Sequence, residues 1–307
     1  MPRGERPMVP KADFDSYYGR PVIKPPVWKS PDVPGYLFLG GLAGASAAMA
    51  PLAEATGRTH LARASRLAAA GGSVASVGAL IHDLGRPERF LNMLRVFKPT
   101  SPLSVGSWII APFSGLAGAA AAADLSGRLP LAGRTAGVGA GVLGPALSTY
   151  TAVLLADTAV PAWHEARRVL PFVFAGSAVT SAAGVGLLAA PAEETGPVRR
   201  LAVGGAAADL AATAWTETRL GLAGEPYRQG RAGRWINASS LLTAAGGLAT
   251  IAAGRSRPAA AVAGLSLLAG AVCTKFGVFE AGRASAQDPA YTVAPQRERL
   301  ARATGAS

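Results

Sequence analysis

Apolar runs of bilayer-spanning length recur along the whole of this 307-residue chain, and they constrain its fold more than any other feature. A hydrocarbon core about 30 Å thick needs roughly 20 residues of helix to cross it. The runs predict helices at about 34–53, 64–84, 103–124, 135–157, 168–191, 198–218, 235–254 and 258–281. Hydrophobic residues make up 50% of the chain and charged residues only 16%, whereas soluble chains carry charge on about a quarter of their residues. The expected class is an all-α membrane protein with eight transmembrane helices. An even number of spans puts both termini on one side, here called side A.

The interiors of the runs are rich in small residues, including Gly40-x-x-x-Gly44 and Gly137-x-x-x-Gly141. Lipid supplies no hydrophobic drive between helices, so small side chains that let backbones approach closely take over that role. Pro112 and Pro145 fall inside spans and are expected to kink them. The formal charge of +12 does not indicate nucleic acid, because the basic residues lie between apolar runs, as loop flanks do. Cys273 is the single cysteine and lies within a run, which excludes an internal disulfide and any multi-cysteine metal motif. If the chain handles electrons, the metal centres belong to a partner. Residues 1–33 are polar and proline-rich, with no apolar core of the kind a cleavable signal needs.

Placed on this topology, Trp28, Trp108, Trp163, Trp215 and Trp235 all fall at or near side A, as do Tyr17, Tyr18, Tyr36, Tyr227 and Tyr291. Tyr150 lies in the half of its helix nearer that side. Ordinary aromatic belts occupy both interfaces, so a one-sided set points to a partner surface or a site on side A. The long connections, at about 83–103, 157–168 and 218–235, fall there too. Lys and Arg in and beside the connections number 10 on side A and nine on side B, a balance too even to fix orientation. The side that a soluble partner would face therefore stays open.

The most informative stretch is Ile81-His82-Asp83-Leu84-Gly85-Arg86-Pro87-Glu88-Arg89-Phe90, where an apolar run ends on an acid. An ionisable group at the end of a membrane helix is costly unless something uses or pairs it. Asp83 and Glu88 could simply pair with Arg86 and Arg89 at an ordinary helix stop, since Pro87 and loop charges are usual there. Spacing alone does not choose between that reading and a site.

The residues His82 to Arg95, followed by Lys98-Pro99-Thr100-Ser101-Pro102-Leu103-Ser104-Val105-Gly106-Ser107-Trp108, resemble the NrfD/polysulphide-reductase membrane-subunit family, PsrC-like. Ser148-Thr149-Tyr150-Thr151-Ala152-Val153-Leu154-Leu155, leading to Val160-Pro161-Ala162-Trp163-His164, carries the same resemblance, as do Tyr18-Gly19-Arg20-Pro21 and Pro34-Gly35-Tyr36. The match is specific over roughly 17–168. Ala152 stands where a glycine is common in the family. The resemblance implies two four-helix bundles, at 34–167 and 168–283, between a partner-docking tail at 1–33 and a C-terminal tail at 284–307. It also implies a haem-free, quinone-reactive membrane subunit in the cell membrane. That subunit would pass electrons between a menaquinone-type quinone and a ferredoxin-type iron–sulphur subunit, itself attached to a molybdopterin catalytic subunit. Asp83 and Tyr150 would form the quinone-site pair, with His82, Tyr17 and Tyr18 as further lining.

The chemistry of the residues agrees with that expectation. Reducing a quinone requires groups that donate to its carbonyl oxygens and exchange protons. A partly desolvated carboxyl can do both, and a tyrosine supplies an apolar wall with one O–H. Asp157, next to a loop, reads as a solvated helix end. His82 and His164 make a poor haem pair, because His164 is in a loop and haem between helices needs histidines facing across a bundle interior. Asp209, Glu217 and Lys275 lie within later spans: Lys275 could pair with Glu217, or Asp209 could carry protons. A multi-pass secondary transporter and a purely structural membrane anchor remain alternatives.

Overall fold

The computed structural model describes residues 21–84, 87–254 and 256–303. Tyr17 and Tyr18 lie outside the described residues. Every regular element among those described is helical. Ten of the helices are α1 (Asp32–Ala55), α2 (Thr59–Asp83), α3 (Pro102–Ser126), α4 (Pro130–Ala156), α5 (Pro161–Glu165), α6 (Leu170–Ala189), α7 (Gly196–Arg219), α8 (Glu225–Arg228), α9 (Gly230–Ala252) and α10 (Arg257–Gln287). The last, α11 (Ala290–Ala303), lies inside the expected C-terminal tail, and α10 runs past its expected end near 281. A 3-10 segment, Pro87–Leu94, follows the Asp83 end of α2.

Local signals explain several of these ends. The side chain of Ser101 accepts from the Ser104 N–H at 3.5 Å, with Pro102 at the first helical position of α3, where a missing N–H costs nothing. Gly127 closes α3 in the left-handed region at φ 66°, a conformation that glycine adopts without a Cβ penalty. Ser256 and Pro258 repeat the opening device for α10.

Among the described residues, six helices, α1, α2, α3, α4, α6 and α10, are long and apolar enough to cross a membrane. The helices α7 and α9 have comparable lengths, 24 and 23 residues. They fall short in apolarity because α7 carries Arg199, Arg200, Asp209 and Glu217, and α9 opens on Arg231, Arg234 and Asn237.

The packing is organised by α1 and α6, which touch each other. Helix α1 lies against α2 and α4, and α3 lies against the same two; α6 lies against α7 and α10, and α9 against the same two. Close approach depends on glycine pairs. A Cβ on Gly44 would collide with the Gly144 carbonyl, and one on Gly144 with that of Gly44, so α1 and α4 meet backbone to backbone. Gly184 and Gly264 do the same for α6 and α10, where a Cβ on either would stand 2.7 Å from the other's carbonyl oxygen. The Gly44 contact gives the first small-residue motif its physical role, packing within the chain.

The short turns gather at one end and the long connections at the other. At the short-turn end, Arg66 of α2 pairs with Glu54 of α1 and, at 3.0 Å, with Asp124 of α3. Arg134 of α4 reaches Glu54 at 2.8 Å. The four helices are thus tied by charge at this end. The long-connection end carries the aromatic residues, and most of them point inward. Trp163 is fully buried and donates through Nε1 to the Val278 carbonyl at 2.7 Å. Trp28 stacks on it with ring centroids 5.6 Å apart. Tyr227 is buried and donates to the Ala162 carbonyl at 3.1 Å, and burial pushes its hydroxyl above the ordinary tyrosine range. The one-sided aromatic set therefore divides. Trp163, Tyr227 and Tyr36 build the core, while Trp108 and Trp215 are both 43% exposed.

Candidate functional site

The site is built where α3 begins and α4 ends. Gly106 of α3 has no side chain, and the ring of Tyr150 from α4 occupies that space; a Cβ there would collide with the ring. The aromatic wall is thus fixed by a glycine in the first two turns of α3. Beside Tyr150 lies a cavity of about 610 Å³, lined by Pro99, Thr100, Pro102, Val105, Tyr150, Val153, Ala156, Asp157, His164 and Arg167. That size is within the range of small-molecule sites. Among the described residues, the Tyr150 hydroxyl has no hydrogen-bond partner.

The polar groups come from the connection after α4. The Nδ1 of His164 stands 3.2 Å from the Ala156 carbonyl oxygen. That contact makes Nδ1 the donor and leaves Nε2 for a ligand. Arg167 donates to the His164 carbonyl at 3.0 Å, so the same loop carries imidazole and guanidinium together. Asp157 is the C-cap of α4 and lines the cavity. The arrangement presents a hydroxyl, an imidazole, a carboxyl and a guanidinium at one end of an apolar wall. Such a set can bind carbonyl oxygens and exchange protons with them.

Asp83 and His82 take other partners. The carboxylate Oδ1 of Asp83 accepts the backbone N–H of Lys29 at 2.9 Å, and His82 Nδ1 lies 2.8 Å from Asp32 Oδ2. Both contacts tether the segment that enters α1 to the end of α2. Neither residue lines the cavity at Tyr150. His164 and Asp157 line it, although by sequence one reads as a failed haem ligand and the other as a solvated helix end. The available signal was their spacing: seven residues apart, with Pro161 between, they fold back on one loop.

A second ionisable group lies inside the later helices. Asp209 of α7 and Lys275 of α10 are 2% and 1% exposed and feel each other's charge, yet no direct ion pair joins them, and among the described residues Asp209 Oδ1 and Lys275 Nζ have no hydrogen-bond partner. The ammonium of Lys275 sits 3.4 Å from the centroid of the Phe174 ring. Lys275 does not pair with Glu217, whose electrostatic partner is Arg228. Eight residues separate Asp209 from Glu217, which turns the latter about 80° around α7 and moves it about 12 Å along.

The fold and this cavity define a multi-pass, all-helical membrane protein with a polar recess at one end. The chain matches the NrfD_2 family model, described as polysulfide reductase, over residues 15–287, and it belongs to that family. The family consists of membrane subunits of oxidoreductase complexes. The match carries the membership through the second half, well past the motifs at 17–168. No curated protein matches the chain.

Proposed function

We propose that this chain is the quinone-reactive membrane subunit of its oxidoreductase complex, with eight transmembrane helices in two four-helix bundles. The first bundle would be α1 to α4, and the second α6, α7, α9 and α10. The cell membrane is the proposed location. The observation that carries the reading is the recess at Tyr150, where an unpartnered hydroxyl, His164 and Asp157 meet an apolar wall at the long-connection end. Tyr150 would flank the quinone ring and donate to a carbonyl oxygen. His164 would exchange a proton through Nε2, with the Asp157 carboxyl lining the same cavity. Asp83, carried over by the resemblance, is proposed as a further proton-exchanging group at the same end of α2, with His82, Tyr17 and Tyr18 as lining.

The partners proposed are a ferredoxin-type iron–sulphur subunit and, beyond it, a molybdopterin catalytic subunit. The iron–sulphur subunit would dock over the long connections, where Trp108 and Trp215 are exposed and a quinone at Tyr150 would lie near its clusters. Exposed tryptophans are common anchors of such contacts. The test is purification in mild detergent followed by quinol addition. Reduction of co-purified clusters by a quinol supports the reading, and a chain that purifies without clusters and without bound quinone contradicts it.

A further inference from the structure

A second, wholly apolar groove of about 220 Å³ lies between α1, α4 and α6, lined by Ala45, Met49, Pro145, Thr149, Ala175 and Val179 among others. We infer that this groove seats the polyprenyl tail of the quinone whose headgroup enters the Tyr150 cavity. The inference rests on the headgroup reading above and goes beyond it by naming the tail's path.

Three observations carry it. First, the two cavities share one ridge of α4. Pro145, Thr149, Val153 and Asp157 follow at four-residue intervals on one helix face; the first two line the groove and the last two the headgroup cavity. Pro145 and Val153 are exposed and Thr149 half-buried, so the ridge is an open track between them. From Asp157 to Pro145 is about 18 Å of helix, which a tail spans and a bare ring does not.

Second, the groove offers nothing polar to a ligand. Its two hydroxyls are already bonded to backbone, Ser148 to the carbonyls of Gly144 at 3.0 Å and Gly41 at 3.3 Å, and Thr149 to that of Pro145 at 2.9 Å. A surface with no unsatisfied donor or acceptor takes hydrocarbon.

Third, the polar end favours a neutral headgroup over a phospholipid's phosphate. The one arginine there, Arg167, stands with Asp157 in the cavity and has Glu165 3.8 Å away. Phosphate recognition in membrane pockets uses clusters of basic residues. A polar recess with mixed charge, linked to a dry groove by the α4 ridge, suits a neutral carbonyl ring on a long apolar chain.

The experiment uses the intact complex in nanodiscs and two probes with the same naphthoquinone ring, one without a tail and one with a long polyprenyl tail. Affinity is read by displacement of a photo-crosslinking tailless quinone, and turnover is followed in parallel. Ala45→Phe fills the groove from α1, and Ala175→Phe fills it from α6. Each is expected to weaken the tailed probe at least tenfold and to leave the tailless probe within twofold. Unchanged affinity for the tailed probe in both variants, with the tailless probe binding normally, overturns the inference and assigns the groove to bulk lipid chains. Loss of both probes in both variants also overturns it, because the groove then shapes the headgroup cavity. If the tailless probe fails to bind the unmodified complex, the headgroup reading falls and this inference with it.

Discussion

The carboxylate of Asp83 holds the backbone N–H of Lys29 at 2.9 Å, across 54 residues of sequence, and so fastens the entering segment to the far end of α2. An amide side chain keeps an acceptor oxygen but cannot exchange a proton, so Asp83→Asn separates tethering from chemistry. The proposed role in proton exchange implies that Asp83→Asn keeps the complex assembled while quinone-linked turnover falls about a hundredfold, the scale of losing a positioned acid–base group. Turnover with a soluble quinone, set against an artificial dye that accepts from the clusters directly, checks this. Equal loss of both activities would mean that Asp83 acts only as a tether.

Tyr150 and Gly106 make a complementary pair of tests. Tyr150→Phe preserves the ring and removes one hydrogen bond, worth roughly 1 kcal/mol, so quinone affinity should fall by less than tenfold. Gly106→Ala drives a methyl into that ring, and overpacking of this kind costs about 1–3 kcal/mol. It should therefore lower quinone affinity more than Tyr150→Phe, although it removes no polar group. Titration of the tailless quinone against each variant gives the ordering. The reverse ordering would show that the hydroxyl, rather than the placement of the ring, dominates binding.

How much of this was legible in the sequence follows from what each feature depends on. Span length and small-residue content are local properties, so all eight long helices lie close to the expected ranges. Tyr150 was legible through the motif around it. The recess beside it was not, because it depends on Gly106, 44 residues earlier, and on a loop that folds His164 and Asp157 back toward α4. Among the described residues, the side-A tryptophans and tyrosines lie toward the long-connection end, but burial decides their use, and burial depends on partners such as Val278 and Phe279 more than 110 residues away. Similarly, nothing in the spacing of Lys275 distinguishes Asp209 from Glu217 as its partner.

The buried pair Asp209 and Lys275 should behave as a unit. Their charges interact without a direct ion pair or hydrogen bond, so removing one leaves the other as an uncompensated buried charge, which is costly, while removing both is closer to neutral. Asp209→Asn and Lys275→Met should each lower thermal stability in detergent, and the double variant should recover most of the loss. Stability that falls additively in the double variant would show that the two side chains act independently.

Trp163 holds the long-connection end together, between Trp28 and Phe279. Trp163→Ala should cost about 3–5 kcal/mol, as large aromatic truncations in cores do, and should loosen the segment around Trp28. Protease cleavage near Lys24 and Lys29 reports that loosening. Unchanged cleavage would mean that the Lys29–Asp83 bond alone secures the segment.

The most direct test of the quinone role follows the partner's clusters rather than turnover. Quinol is added to the purified complex, and to the same soluble subunits stripped of this chain, while cluster absorbance is recorded. If this chain delivers electrons from quinol, the clusters bleach in the intact complex and stay oxidised without it, and filling the recess with Val153→Trp slows the bleaching at least tenfold. Clusters that bleach at the same rate with and without this chain would contradict a quinone site in it.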